Sequence, residues 1–413
     1  YQRSLGRLVR VKSIVVGLFI VSLGLTAWMF TQVPTAFLPE EDQGYFITII
    51  QSPEGVSLNY TDRVMAQVEK EILQIPEVVG TFAVGGFSFS GNTSNTGVVF
   101  TTLKPWAERK RPDQSAQALI GQLFGKFSQI TEARVLPVNP PSISGLGNFG
   151  GFQFQLQDRI GSNDLQALFM TAGQMIGQAN QTPGLQQVFT TFSASTPQFT
   201  VEVDRDKAKA MQVPVNDIFN TLQTALGSQY VNDFNLGQRS YRVYVQADQQ
   251  FRTKPEDVGS LYVRSQQGEM VPLSGLVNIT PATGAQTINH FNLFRAIEIS
   301  GSPSPGTSSG GAIKAMENLA AQTLPASFGY EWAGTAREEI ESGGLAPLIF
   351  GLGLVFVFLV LAAQYENYVD PLIIMLAVPL AILGALVSQS LRGLQNDIYC
   401  QVGLVMLIGL ASK

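Results

Sequence analysis

Uncharged apolar runs at both ends limit what this chain can fold into. Residues 13–30, SIVVGLFIVSLGLTAWMF, carry no charge and approach the ~20 apolar residues that a helix needs to cross a bilayer. In hydrocarbon every backbone N–H and C=O needs a partner inside the segment, so such a run is expected as a helix. A cleaved signal peptide is the alternative, but no small-residue cleavage site follows the run. Arg3, Arg7, Arg10 and Lys12 precede it, which puts its N-terminal side in the cytoplasm and the residues after 32 outside. Residues 342–365 and 371–391 are two further uncharged runs, and a third begins at Ile398. The links QYENYVD and RGLQND are short, so these three are expected as hairpin neighbours. Asp370 suits the cap of the middle one and Pro371 its first turn. Pro379 is expected to kink it, which neighbouring helices make tolerable. The chain starts without Met and stops straight after an apolar run, which reads as a fragment.

Composition agrees with a membrane protein that carries a large aqueous domain. Only 14% of residues are charged against 45% hydrophobic, and mean hydropathy is positive at +0.15. A net charge of -5 and the lack of any Lys/Arg run exclude a nucleic-acid binder. With one cysteine and one histidine, there is no disulfide framework and no metal or triad chemistry beyond what His290 could do alone. Cys400, inside an apolar run, reads as a small buried apolar residue.

Residues 33–340 carry repeating strand and helix periods. Residues 45–50, YFITII, read as a strand. Residues 58–73 follow as a helix with Val64, Val68 and Ile72 on one stripe. Strands are expected at 78–84 and 98–103. A helix at 114–127 shares the face Leu119, Ile120, Leu123, Phe124 and Phe127, and a strand at 133–138 closes the set. That order, βαββαβ, is a split-βαβ (ferredoxin-like) unit. A second unit begins with a strand at 152–156, a helix at 164–179 and a strand at 185–192. It resumes only at 294–300, 309–321 and 329–332. An insert at 197–287 has its own αβ pattern, and no phosphate-binding glycine motif occurs in it. The fold class is therefore an α+β membrane protein: transmembrane helices flanking two split-βαβ units, with an inserted α+β subdomain.

The loop between the middle strands of the first unit, in VGGFSFSGNTSNTGVVF, is too long for a tight hairpin, and such loops are commonly functional. It holds Phe87 and Phe89, while Phe82 and Phe100 stand on the adjoining strands. Burying a phenylalanine contributes ~1.5–3 kcal/mol, so these rings either complete the core of the first unit or wall a cleft. An aromatic cleft suits poorly specified amphiphiles, because stacking and apolar area need no fixed hydrogen-bond geometry. Gly85, Gly86 and Gly91 give the loop freedom to move.

PTAFLPEEDQGYF, FAVGGFSFSGNTSNTG, LKPWAERK, YVNDF, LAAQYENY and the final run from VPLAILGALVSQSL to GLASK together resemble the C-terminal half of a resistance–nodulation–division transporter of the hydrophobe/amphiphile efflux branch. The resemblance covers essentially the whole chain. It implies that the two split-βαβ units are porter subdomains, at 33–145 and at 146–196 with 288–340, and that 197–287 is a docking (funnel) subdomain. The membrane part is then a cytoplasmic flank at 1–12 and helices at 13–32, 342–365, 371–391 and 398–413.

The resemblance also implies site residues. Phe82, Phe87, Phe89 and Phe100 match a phenylalanine-rich drug pocket. Gly85, Gly86, Ser88, Ser90 and Gly91 match the switch loop. Leu136 and Val138 fall at pocket positions that are phenylalanine in well-known members, which suggests an altered pocket. A basic residue lining the outer pocket in some members is replaced around Phe189. Lys413 matches a membrane lysine that pairs with aspartates on the other half in a proton relay. A lysine at membrane depth costs ~2.5–3.5 kcal/mol unless paired.

The function implied is proton/drug antiport in a bacterial inner membrane, with the large domain in the periplasm. The proton-motive force drives it and no cofactor is expected. Expected partners are amphiphilic drugs, the other copies of a homotrimer, a periplasmic adaptor, an outer-membrane channel and the lipid bilayer. The rivals are a membrane-anchored binding or assembly protein without proton coupling, a heavy-metal exporter, and an extracytoplasmic enzyme. The 9 methionines are too scattered for a metal relay, and no nucleophile–base pair supports an enzyme.

Overall fold

The computed structural model describes residues 12–39, 41–161, 164–343 and 346–411, so Arg3, Arg7, Arg10 and Lys413 lie outside the described residues. Contacts divide the chain into two compact units: one runs to Ser193 and resumes at Thr287, the other is Ala194–Gln286.

The first unit opens with helix α1 (Lys12–Gln32). Then follow β1 (Tyr45–Gln51), α2 (Leu58–Ile72), β2 (Val78–Gly85), β3 (Thr96–Leu103), α3 (Ala116–Phe127) and β4 (Arg134–Val138). The four strands form an antiparallel sheet in the order β2-β3-β1-β4. Successive strand side chains point to opposite faces. One face carries Phe46, Ile50, Val99, Leu103 and Val135, and packs on Val64, Val68 and Ile72 of α2 and Leu119, Leu123 and Phe127 of α3. Ser115 caps α3 by accepting the Ala118 N–H at 3.2 Å. Phe124 departs from its expected place on the α3 stripe: it is 37% exposed, because it stands at the edge of a face whose centre is Leu123 and Phe127.

The second sheet is built from β5 (Phe152–Asp158), α4 (Leu165–Ala179) and β6 (Leu185–Phe189). Asp164 caps α4 through the Ala167 N–H at 2.9 Å. The other compact unit comes next in the chain. It contains β7 (Thr196–Val203), α5 (Arg205–Ala210), α6 (Val215–Leu222), β8 (Gln229–Leu236), β9 (Arg239–Val245), α7 (Pro255–Gly259), β10 (Tyr262–Arg264), β11 (Met270–Pro272) and β12 (Val277–Gly284). There β7 pairs β12, β8 pairs β9 and β10 pairs β11. Ala208, Val213, Ile218, Val263, Leu273 and Leu276 form its core. Every residue of β8 and β9 is exposed.

The first unit resumes with β13 (Asn289–Phe291), β14 (Phe294–Pro303), α8 (Ser309–Thr323), β15 (Phe328–Ala333) and α9 (Gly334–Gly343). β14 crosses back to lie between β6 and β5, with β15 beyond β5, all antiparallel. Phe154, Leu156, Ile297 and Ile299 pack on Leu168 and Met175 of α4 and Ile313 and Met316 of α8.

Four helices complete the chain: α10 (Ala346–Tyr365), α11 (Val369–Met375), α12 (Val378–Leu391) and α13 (Ile398–Ala411). Spans Lys12–Gln32, Leu348–Tyr365 and Val369–Leu391 are long and apolar enough to cross a membrane. They pack sparingly: Met29 of the first span and Val33 just beyond it meet Leu386, Cys400 and Leu404. Outward residues such as Leu18, Phe356 and Leu380 stay exposed, as lipid-facing positions do. The helix before Pro379 breaks between Met375 and Val378, one turn upstream of the ring that would clash with a continuous helix. The Thr26 hydroxyl donates to the Pro379 carbonyl at 3.2 Å across from α1. Asp370 is not the cap expected of it. The helix starts earlier, at Val369, whose N–H goes to Asn367 Oδ1 at 2.9 Å, and Asp370 instead accepts the Asn367 amide at 3.1 Å.

Candidate functional site

The first sheet is apolar on the face turned away from α2 and α3. The register makes this face explicit: Phe82 lies opposite Phe100, Phe100 opposite Ile47 and Ile47 opposite Val138. The next row on the same face runs Val84, Val98, Ile49, Leu136. Period-two alternation and antiparallel pairing thus gather Phe82, Phe100, Leu136 and Val138 from three strands onto one surface.

Burial falls steeply across that surface. Leu136 and Val138 are 8% and 7% exposed, whereas Phe82 is 67% exposed. Phe100 is half-buried beside it, with ring centroids 6.3 Å apart. Phe87 and Phe89, also half-buried, fold from the loop onto the same cluster. Phe87 meets Phe89 edge-on at 5.7 Å, Phe89 meets Phe149 at 5.1 Å, and Phe149 meets Phe189 at 5.9 Å. Two of these rings come from outside the first sheet. Phe149 lies in the glycine-rich link before β5, and Phe189 ends β6. The aromatic row therefore spans from an exposed end at Phe82 to a buried end between the two sheets.

The loop is fastened at its feet. Gly85 is the last residue of β2, opposite Gly97. The Gly86 N–H bonds the Thr96 carbonyl at 2.8 Å, and the Ser52 N–H bonds the Asn95 carbonyl at 2.8 Å. Ser94 Oγ donates to the Val56 carbonyl at 2.8 Å. The tip makes its own tight turn: Ser88 N–H and Oγ both donate to the Gly91 carbonyl, at 3.0 and 2.7 Å. Ser90 reaches across to the Thr191 hydroxyl at 2.9 Å. Gly86 and Gly91 adopt φ of 75° and 145°, which side chains with a Cβ rarely take.

Sequence reasoning missed Phe149 and Arg134. Phe149 sits in NFGG, which reads only as a link. Arg134 opens β4, and its guanidinium carbon lies 5.9 Å from the Phe189 ring centroid. A cation thus stands over Phe189, supplied by the other sheet, near the position where the resemblance led us to expect a lost basic residue. The back of the second sheet differs in character. Gln153, Gln155 and Gln157 are buried on it, and Gln155 donates to Glu298 at 2.9 Å. The site has an apolar wall suited to ring stacking, with polar groups on the neighbouring sheet. Among the described residues no His, Cys, Asp and Glu group could hold a metal ion. Lys413, expected at membrane depth, lies outside the described residues.

Known proteins give these surfaces a context. The chain is 44% identical over 388 residues to multidrug export protein AcrF of Escherichia coli (strain K12), covering 93% of this chain and 37% of that protein. It is 39% identical over 416 residues to the antibiotic efflux pump membrane transporter ArpB of Pseudomonas putida, covering 100% of this chain and 39% of that one. With multidrug resistance protein MdtF of Escherichia coli (strain K12) it shares 41% over 390 residues, 94% of this chain and 37% of that protein. It thus spans well under half the length of these relatives. The model of the AcrB/AcrD/AcrF family matches residues 1–413, and the chain belongs to that family of resistance–nodulation–division efflux transporters.

Proposed function

We propose that this chain is the C-terminal half of a proton/drug antiporter that exports amphiphilic or hydrophobic compounds from the periplasm or the inner membrane. The observation that carries the reading is the two-faced first sheet. One face packs on its helices, and the other presents Phe82, Phe100, Phe87 and Phe89 in a graded aromatic row. A surface that only completed a core would bury all four rings, yet Phe82 stays largely in water. In the family reading the two antiparallel sheets are split-βαβ porter subdomains, and 85–95 is the switch loop between substrate pockets. The loop is pinned at its feet, and its tip is held by the Ser90–Thr191 hydroxyl contact and the packing of Phe89 on Phe149, so swinging the tip would uncover Phe89 and Phe149 while the sheet stays intact.

Supporting the wider assembly, the β8–β9 hairpin is exposed along its whole length and displays Tyr230, Phe234, Leu236 and Tyr244. A lone two-stranded ribbon is marginal in water, which favours insertion into another copy of a homotrimer. A periplasmic adaptor and an outer-membrane channel complete the export path. The membrane spans carry the proton relay, in which Lys413 pairs with aspartates of the N-terminal half.

The test uses the whole transporter in cells stripped of their own pumps. Phe82→Ala combined with Phe100→Ala is expected to raise accumulation of a fluorescent amphiphilic cation several-fold and to change the ranking of exported compounds, with the protein level unchanged. Unaltered export across a panel of amphiphiles would remove the aromatic face from the drug path.

A further inference from the structure

Residues 34–37 form a strap between the first membrane helix and β1, and it has two sets of partners. The first set belongs to the turn between α12 and α13. There the Asn396 N–H donates to the Pro34 carbonyl at 2.8 Å, the Ala36 N–H to the Asn396 carbonyl at 3.3 Å, and the Ile398 N–H to the Phe37 carbonyl at 3.1 Å. The second set is Ser309, which opens α8, and Glu339 on α9. The Phe37 N–H reaches Ser309 Oγ at 3.4 Å, and the Glu339 carboxyl lines the same crevice as both residues, where the Ser309 side chain and the Phe37 N–H favour its charged form. The strap therefore joins a membrane hairpin to the helix that leads into α10.

Glu339 lines a crevice of about 60 Å³ with Phe37, Phe152, Ile313, Thr335 and Ala336, and it is the one ionisable group among the described residues that line it. Charged neighbours are turned elsewhere. On α9, Arg337 holds Glu341 at 2.7 Å, and Glu338 is half-buried one residue from Glu339. On α8, Glu317 accepts the Trp332 indole N–H at 3.1 Å and Lys314 is exposed. After the strap, Glu41 is exposed and Asp42 is bound by Arg109. Beyond Asn396, the Asp397 carboxyl accepts the Cys400 N–H at 2.8 Å.

We infer that Glu339 is a proton-operated latch: neutral, it holds the strap in the crevice, and ionised, it favours the strap's release. Burial raises its carboxyl above the usual range, and the hydrogen bonds from Ser309 and the Phe37 N–H offset only part of that rise. A carboxyl raised in the closed form binds its proton more tightly closed than open. Acid therefore favours the closed latch, and rising pH opens it through the raised pKa. The two forms would change how firmly the strap ties α9 to the membrane hairpin, and do so outside the membrane spans. The latch is independent of which compounds are exported.

The test is hydrogen–deuterium exchange on the full chain in detergent micelles across a pH series, corrected for the intrinsic pH dependence of exchange. It follows the peptide that contains Phe37. Protection is expected to rise as pH falls, by about tenfold for each unit separating the closed and open carboxyl. Glu339→Gln, neutral and of similar shape, should hold the acid level of protection at every pH. Ser309→Ala removes a bond to the carboxylate and should move the transition to higher pH. Protection independent of pH in the wild type, or a wild-type transition surviving in Glu339→Gln, would overturn the latch. Should Glu339→Gln fail to fold, an unmoved transition in Ser309→Ala would overturn it instead. Because no drug enters the measurement, its failure and that of the export reading are separable.

Discussion

Asp42 ties together two motifs far apart in the chain. Its carboxylate receives both Arg109 guanidinium nitrogens, at 2.7 and 3.0 Å, the Ala116 N–H at 2.8 Å and the Gly44 N–H at 2.9 Å. Burial alone would raise its carboxyl, but the bonds from Arg109 and the two backbone N–H groups, with the guanidinium charge, bring it down to about 2. A depressed carboxylate adds stability above its unfolded pKa and loses it as pH falls through the folded one. Asp42→Asn is therefore expected to cost about 2 kcal/mol at neutral pH. The gap from wild type should close as pH drops from about 4 toward about 2, read by thermal unfolding in detergent. A gap of constant size would mean that charge is not what Asp42 supplies. Sequence reading singled out PEEDQGYF and LKPWAERK as motifs, yet nothing in either shows that Asp42 of one clasps Arg109 of the other. Side-chain pairing over such a separation leaves no periodic trace.

At the scale of elements, alternation made most strands and helices of the first unit legible, and pairing explains what they present. Phe82, Phe100, Leu136 and Val138 fall on one face because the four strands of the sheet share one register. Alternation alone cannot say which face the helices cover, so the same rings read equally well as core or as pocket wall. The loop depends on backbone conformation as much as on its side chains. Gly86, at φ of 75°, turns the chain out of β2, and an L side chain there costs about 1–2 kcal/mol. Gly86→Ala should lower the unfolding midpoint by an amount of that order. It should also slow or block movement of the loop, read as reduced exchange of a spin or fluorescence label placed at Ser90. An unchanged midpoint would mean that the loop reaches its path without the left-handed turn.

Across the whole molecule, the antiport reading proposed above requires the membrane runs and the aqueous units to act together. Lys413→Ala in the complete transporter is expected to abolish proton-driven export while leaving drug binding to the purified protein intact. Normal export by that variant would exclude the lysine from the relay. The sequence alone determined the long apolar helices, the order of most strands and helices in the first unit, and the presence of an aromatic loop, because each is written in local composition or in periods of two and 3.6 residues. Tertiary structure decided the rest. It brought Phe149 and Phe189 against Phe89, set Arg134 over Phe189, and closed the strap at residues 34–37 between Asn396 and Glu339. Those contacts join segments tens to hundreds of residues apart. Chain connectivity sets no preference among such partners, and only the packing of one sheet against another and of helices on a shared strap selects them.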